Sequence, residues 1–313
     1  MTVTGPSTTT GDTVLPPLYV ANDRRALARQ GETLRAVRTQ LTFLMLATAA
    51  AALAEHLRSH FASWVAAALY ALTTVIGLHT ARRRARAHWQ AHRAAAETLK
   101  SLAWQYMVHG GPFHSGVGNP DAVFAERLEE RLRELRKVGW QDIRDDADGA
   151  GGAGAGSGGA GGAGQITPGM RAVRAKSFAA RRDIYLRDRV LEQLVWYGNR
   201  AAQSHRASVR WSSLTAALTT LGLLAAALRA VGVLGNWDFA GLLSAGAAAA
   251  VAWQEVRRHR PLTYAHSLIE QDLETLRVAM GTTVTEGQWA EAVAEAERLV
   301  SPQHTDWLVR FGS

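Results

Sequence analysis

The chain has 313 residues, of which 47% are hydrophobic, 20% charged and 7% aromatic, with no cysteine and a formal net charge of +8. At roughly 100–200 residues per domain this length suggests two units. The lack of cysteine excludes disulfide frameworks, iron–sulfur clusters, thiolate zinc sites and cysteine nucleophiles.

Taken in chain order, residues 1–17 are Thr/Gly/Pro-rich, lack the basic-then-apolar pattern of a secretory signal, and read as a disordered tail. Val20, Leu27, Leu34 and Leu41 recur every seven residues, on one face of a helix that runs into a first apolar segment, Leu41–Ala54. A second apolar segment is Phe61–Leu78, and Leu99, Leu102 and Tyr106 form a stripe that ends at Gly110-Gly111-Pro112. Asn119-Pro120 is a capping residue followed by a first-turn proline, and Phe124, Leu128, Leu132, Leu135 and Val138 continue from it. Residues 149–164 contain only Gly, Ala and Ser and read as a flexible linker; no Gly-Lys-Ser/Thr ending makes them a phosphate loop.

The same plan then recurs. Leu186, Val190, Leu194, Tyr197 and Ala201 lead to a third apolar segment, Trp211–Leu228, and a fourth is Phe239–Trp253. Pro261 is expected to break or kink the chain. Ile269, Leu273, Leu276 and Met280 make a further stripe, and Thr285 with Gln288 forms a capping box ahead of Trp289, Val293 and Ala296. No alternating strand pattern occurs. The fold class expected is an all-α membrane protein: two transmembrane helical hairpins (four spans) with amphipathic cytoplasmic helices forming a bundle. The divisions expected are a tail at 1–17, a first hairpin domain at 18–146, the linker at 147–168 and a second hairpin domain at 169–313.

A bilayer span needs about 20 largely apolar residues. The second and third segments reach this alone, and the first and fourth do so with flanks that take in Glu55, His56 and Asp238. Buried helices of a soluble bundle are the alternative, but such helices keep a polar stripe, and the second and third segments offer only Ser and Thr. Sixteen arginines flank the open ends of the hairpins, among them Arg24, Arg38, Arg82, Arg86, Arg210 and Arg257, against Arg58 and Arg229 in the connections. This bias implies an inner (plasma) membrane protein with both termini cytoplasmic.

Groups that carry chemistry are sparse. His88/His92 and His56/His60 have a zinc-compatible spacing but no third ligand, and Asp145, Asp146 and Asp148 lack the alternation and closing Glu of a calcium loop. No catalytic, cofactor-binding or metal-binding residue is assigned, and no cofactor or enzymatic activity is expected. The arginines cluster at membrane boundaries, which speaks for anionic lipid rather than nucleic acid. Within the spans, Ala47/Ala51, Ala62/Ala66 and Gly246/Ala250 permit close helix contact. Thr42, Thr48, Thr73, Thr74, Thr215, Thr219 and Thr220 are candidate pore-lining residues in a homo-oligomer, although such hydroxyls can equally satisfy their own helix. Central turns free of Asp, Glu, Lys and Arg argue against an ion-coupled transporter.

The cytoplasmic segments carry a resemblance. Residues 94–113 (AAAETLKSLAWQYMVHGGPF), with Glu97, Lys100, Trp104, Tyr106 and Gly111-Pro112, resemble one subtype of the SLATT family of two-transmembrane effector domains. Residues 185–197 (YLRDRVLEQLVWY) and 289–307 (WAEAVAEAERLVSPQHTDW), with Glu297 and Trp307, resemble another. The chain departs from that pattern at Pro302-Gln303-His304, where a Glu is expected ahead of the final Trp. The resemblance implies a membrane-perturbing effector of bacterial conflict systems, whose partner proteins produce or sense nucleotides. It makes Trp104, Tyr106, Trp196, Tyr197 and Trp307 candidate signal-coupling contacts, with interface anchoring or bundle packing as the alternative role. A non-enzymatic membrane-anchored helical scaffold is the alternative.

Overall fold

A computed structural model of the chain describes residues 14–82, 85–137, 162–235, 237–282 and 284–301. Among these residues the regular elements are all helical, as the patterning predicts. They are α1 (Pro17–Leu57), α2 (His60–Arg82), α3 (Ala85–Val108), α4 (Pro120–Lys137), α5 (Pro168–Arg174), α6 (Phe178–Tyr185), α7 (Glu192–Ala230), α8 (Phe239–Arg257), α9 (His259–Thr282) and α10 (Glu286–Leu299). Short 3-10 turns occur at Gly111–Phe113 and Gly162–Gln165, and a π-helical turn, Leu186–Leu191, joins α6 to α7.

The chain forms two compact units, one from residues 1–30, 86–201 and 264–313 and the other from 31–85 and 202–263. Each draws on both sequence repeats. The second unit contains the apolar stretches, and four helices of the chain are long and apolar enough to cross a membrane. Its packing puts small residues inside and large ones outside. Ala47, Ala54, Ala66, Ala225, Ala247 and Ala250 are buried, whereas Phe61, Trp64, Val75 and Leu223 are 79%, 76%, 60% and 73% exposed. In water such a surface would be a liability; in lipid, where apolar side chains gain nothing by turning inward, small residues at helix contacts are the rule. Gly246 shows the closeness achieved, since a methyl group there would stand 3.5 Å from Leu218 and 3.7 Å from Met45, a residue of the other hairpin.

At the connections of the two hairpins, Arg229 lies 3.1 Å from Asp238 and 3.9 Å from Glu55, and His56 stacks on Trp237 with ring centres 3.8 Å apart. His56 therefore faces an aromatic ring rather than a ligand set. The break after α8 falls at Arg258, in the left-handed conformation (φ 48°), three residues before the proline expected to cause it. Pro261 instead occupies the first turn of α9, where its missing N–H costs no helical bond.

The other unit is the helical bundle. Stripe residues Leu99, Leu102, Tyr106, Phe124, Leu128, Val190, Leu194, Tyr197, Ala201, Ile269, Leu273, Met280, Trp289, Val293 and Ala296 are buried. Asn119 accepts from the Ala122 amide at 3.1 Å and so caps α4, and Gln288 accepts from the Thr285 amide at 3.2 Å and so anchors α10. The described residues include the edges of the expected tail and linker. Leu15 and Ile166 are buried, Thr167 caps α5 and also donates to the Val14 carbonyl, and Gln165 accepts from the Leu18 amide at 3.1 Å. Residues 1–13 of the tail, the remainder of the linker to 161, Asp145–Asp148 and Pro302-Gln303-His304 lie outside the described residues.

Candidate functional site: a buried ionic and aromatic core

The bundle encloses charge. Glu297 of α10 accepts the Tyr185 hydroxyl at 2.9 Å and two Arg189 nitrogens, Nε at 3.0 Å and a terminal nitrogen at 2.7 Å. Both ionic side chains are 2% exposed. The π-helical turn carries Arg189, and such turns often mark functional sites in helices. On this segment Tyr185, Arg189, Gln193 and Tyr197, four residues apart, are all buried and form a polar stripe. Burial opposes the charge on Arg189, yet the bidentate carboxylate more than compensates and raises its pKa. Burial also pushes the Tyr185 hydroxyl well up, so it stays protonated and donates.

Aromatic rings wall this pair. Tyr185 meets Trp104 and Trp289 edge-on, at centre separations of 5.9 and 5.8 Å, and the Trp289 indole donates to the Val108 carbonyl at 2.7 Å. That bond joins α3 of the first repeat to α10 of the second. Lys100, also on α3, is buried, with its ammonium 5.8 Å from the centre of the Tyr19 ring. Burial lowers its pKa, and the neighbouring Arg189 charge lowers it further.

Tyr106 anchors a second cluster. Its hydroxyl donates to Asp121 at 2.6 Å, Arg171 donates to the same carboxylate at 2.9 Å, and Arg174 donates to the Tyr106 carbonyl at 2.6 Å. Burial, then the bond to Asp121, raises the Tyr106 hydroxyl to about 12. Burial works against ionisation of Asp121, but the bonds from Tyr106 and Arg171 outweigh it and lower its pKa. A third cluster packs Trp196 edge-on against Tyr197 and His266, with Arg93 6.0 Å from the centre of the Trp196 ring. Burial pushes His266 down to about 4, and its Nδ1 is buried without a partner.

Of the candidate coupling residues, Trp104 thus lines the ionic core, Tyr106 holds the Asp121 cluster, and Trp196 and Tyr197 pack together on His266. Trp307 lies outside the described residues. Glu97 and Lys100, carried over with the resemblance, share α3 with Trp104, and Glu97 pairs with Arg93 at 3.6 Å. Tyr185 and Arg189 fall within the run 185–197 that carries the resemblance, but neither is singled out there, because the stripe read along it follows Leu186, Val190 and Leu194. The signal available was the four-residue recurrence of Tyr185, Arg189, Gln193 and Tyr197.

Among the candidate pore residues, Thr73 is buried, Thr48 and Thr215 are half-buried, and Thr42, Thr74, Thr219 and Thr220 are exposed. Thr42, Thr48, Thr73, Thr74, Thr215 and Thr219 each donate to the carbonyl four residues earlier, at 2.9–3.0 Å. Thr215 also accepts from Gln254 at 3.2 Å, and Gln254 and Arg260 both contact the Ser212 hydroxyl. Thr48 and Tyr70 hydroxyls lie 3.4 Å apart.

Comparison with known families agrees with both repeats. Residues 16–182 match the SMODS and SLOG-associating 2TM effector domain 3, and residues 185–307 match the SMODS and SLOG-associating 2TM effector domain 1. No curated protein and no solved structure matches the chain. With four candidate spans and two matched two-transmembrane domains in tandem, the chain is a multi-pass membrane protein that belongs to the SLATT family of effector domains.

Proposed function

We propose that the protein is a membrane effector that perturbs the bilayer, as an oligomeric pore, on receipt of a signal in a bacterial nucleotide-linked defence. The observation that carries this reading is the inverted packing of the apolar unit: its large side chains face outward, and Gln254 bonds Ser212 and Thr215 across two of its helices. The arginine bias supports an arrangement with both termini in the cytoplasm and the spans in the inner membrane. A protein that produces or senses a nucleotide supplies the signal, and the aromatic and ionic clusters of the bundle receive it. Self-association brings the exposed threonines of several copies around one lumen; a hydroxyl that donates to its own helix still offers lone pairs to water or a cation.

Membrane potential and dye entry in cells expressing the protein with its neighbouring genes test the reading. Activation should depolarise the cells, and Thr74→Asp or Thr219→Asp should change the conductance or its selectivity. Full activity of the system with intact potential and dye exclusion would rule the pore out. A second reading, a membrane-anchored helical scaffold, draws on the back-bonded threonines, which need no lumen. Unrelated spans grafted in place of the four apolar stretches should preserve a scaffold's function and abolish a pore's.

A further inference from the structure

Next to the ionic core, with which it shares Trp289, the helical bundle contains a cavity of about 330 Å³ whose walls include His109, Ser115, Arg181, Glu286, Gly287 and Trp289. That volume falls at the lower end of small-molecule sites. Arg181 enters from α6 and is 6% exposed. One of its terminal nitrogens donates to the Lys176 carbonyl at 2.6 Å, and the other reaches the Glu286 carboxylate at only 3.4 Å. Its Nε is buried with no partner. A buried guanidinium with an unmet donor is costly to keep, and Glu286, itself 57% exposed, neutralises it poorly.

The remaining walls add donors. Glu286 and Gly287 form the first turn of α10, where backbone N–H groups have no intrahelical acceptor and the helix dipole favours negative charge. Gly287 leaves that turn open, since a methyl group there would meet nothing closer than the Thr285 hydroxyl at 4.0 Å. His109, at the end of α3, is kept neutral down to about 4 by burial and spends its N–H on the Arg174 backbone, so it lines the cavity without adding a donor. A guanidinium, two amides and the Ser115 hydroxyl converge from different directions, which suits a tetrahedral oxyanion. The rim carboxylates Glu286 and Glu291 oppose any anion, so only one able to take Arg181 away from Glu286 gains by entering.

We propose that this cavity binds a phosphate-bearing ligand, whose oxygens engage Arg181 and the first turn of α10 and displace the Glu286 carboxylate. The site does not rest on the pore reading, because a protein without a lumen would bind the same group. Its source is either a soluble phosphate compound or a phosphate headgroup of the bilayer.

The test is calorimetric titration of inorganic phosphate into the full chain in phosphatidylcholine nanodiscs. Saturable binding by the wild type is expected. Loss of the charged fork in Arg181→Gln should weaken it by about tenfold or more, and release of the competing carboxylate in Glu286→Gln should tighten it about threefold or more. Should Arg181→Gln fail to fold, the exposed Glu286 variant decides alone. A second set of nanodiscs containing phosphatidic acid separates the sources: competition with phosphate points to the headgroup, and unchanged affinity points to a soluble ligand. Absence of saturable binding, or affinities in folded Arg181→Gln and Glu286→Gln equal to wild type, would overturn the proposal.

Discussion

Glu297 takes three hydrogen bonds in a space that water does not reach, so its loss leaves Arg189 charged and alone. Glu297→Ala should therefore lower stability by about 3–5 kcal/mol, read as the unfolding midpoint of the detergent-solubilised chain. Replacing the pair together, Glu297→Leu with Arg189→Met, should recover most of this loss; a double variant as unstable as the single one would show that charge is not what the core depends on. His266 gives a pH prediction. Its folded pKa, about 4, lies below the ordinary 6.5, so between those values the unfolded chain binds the extra proton. Its contribution to stability is complete above about 6.5 and is lost as pH falls toward about 4. His266→Phe should flatten the stability profile in that window, and a profile as steep as wild type would assign the acid sensitivity elsewhere. At this scale the sequence was partly legible. Tyr106 stood out on an apolar stripe and Trp104 through the resemblance, but the burial of Arg189 depends on a carboxylate more than a hundred residues away, which no local pattern reports.

At the scale of elements, the helices follow from their stripes and caps, and the two-residue signals at Asn119-Pro120 and Thr285/Gln288 set their starts correctly. Ends were harder. A helix can stop wherever one residue adopts a left-handed turn, and Arg258 does so three residues ahead of the proline that announced a break. The π-helical turn is equally silent, because its sequence has an ordinary helical stripe. Gly110 shows how tightly elements meet: a methyl group there would run into the Val293 side chain of α10. Gly110→Ala should cost about 1–3 kcal/mol by overpacking, whereas Gly118→Ala, where nothing lies within 4 Å, should be close to neutral. Equal melting temperatures for the two variants would remove the α10 contact from the account.

For the whole molecule, composition and charge disclosed the two repeats and their apolar segments. They did not disclose that each compact unit draws on both repeats, since pairing between distant segments is decided by tertiary contacts such as the Trp289–Val108 bond. The inverted burial pattern of the apolar unit, with alanines inside and Phe61, Trp64 and Leu223 outside, makes sense only with lipid as solvent. The absence of native cysteine allows single reporters to be placed at will. Val233→Cys, in the exposed connection of the second hairpin, and Gly118→Cys, in the bundle, can each be treated with a membrane-impermeant maleimide on intact cells. Labelling at 233 in intact cells, with labelling at 118 only after permeabilisation, is the expected result. The reverse pattern, or recovery of the unlabelled chain in the soluble fraction, would contradict the four-span arrangement on which every other inference about its action in the membrane depends.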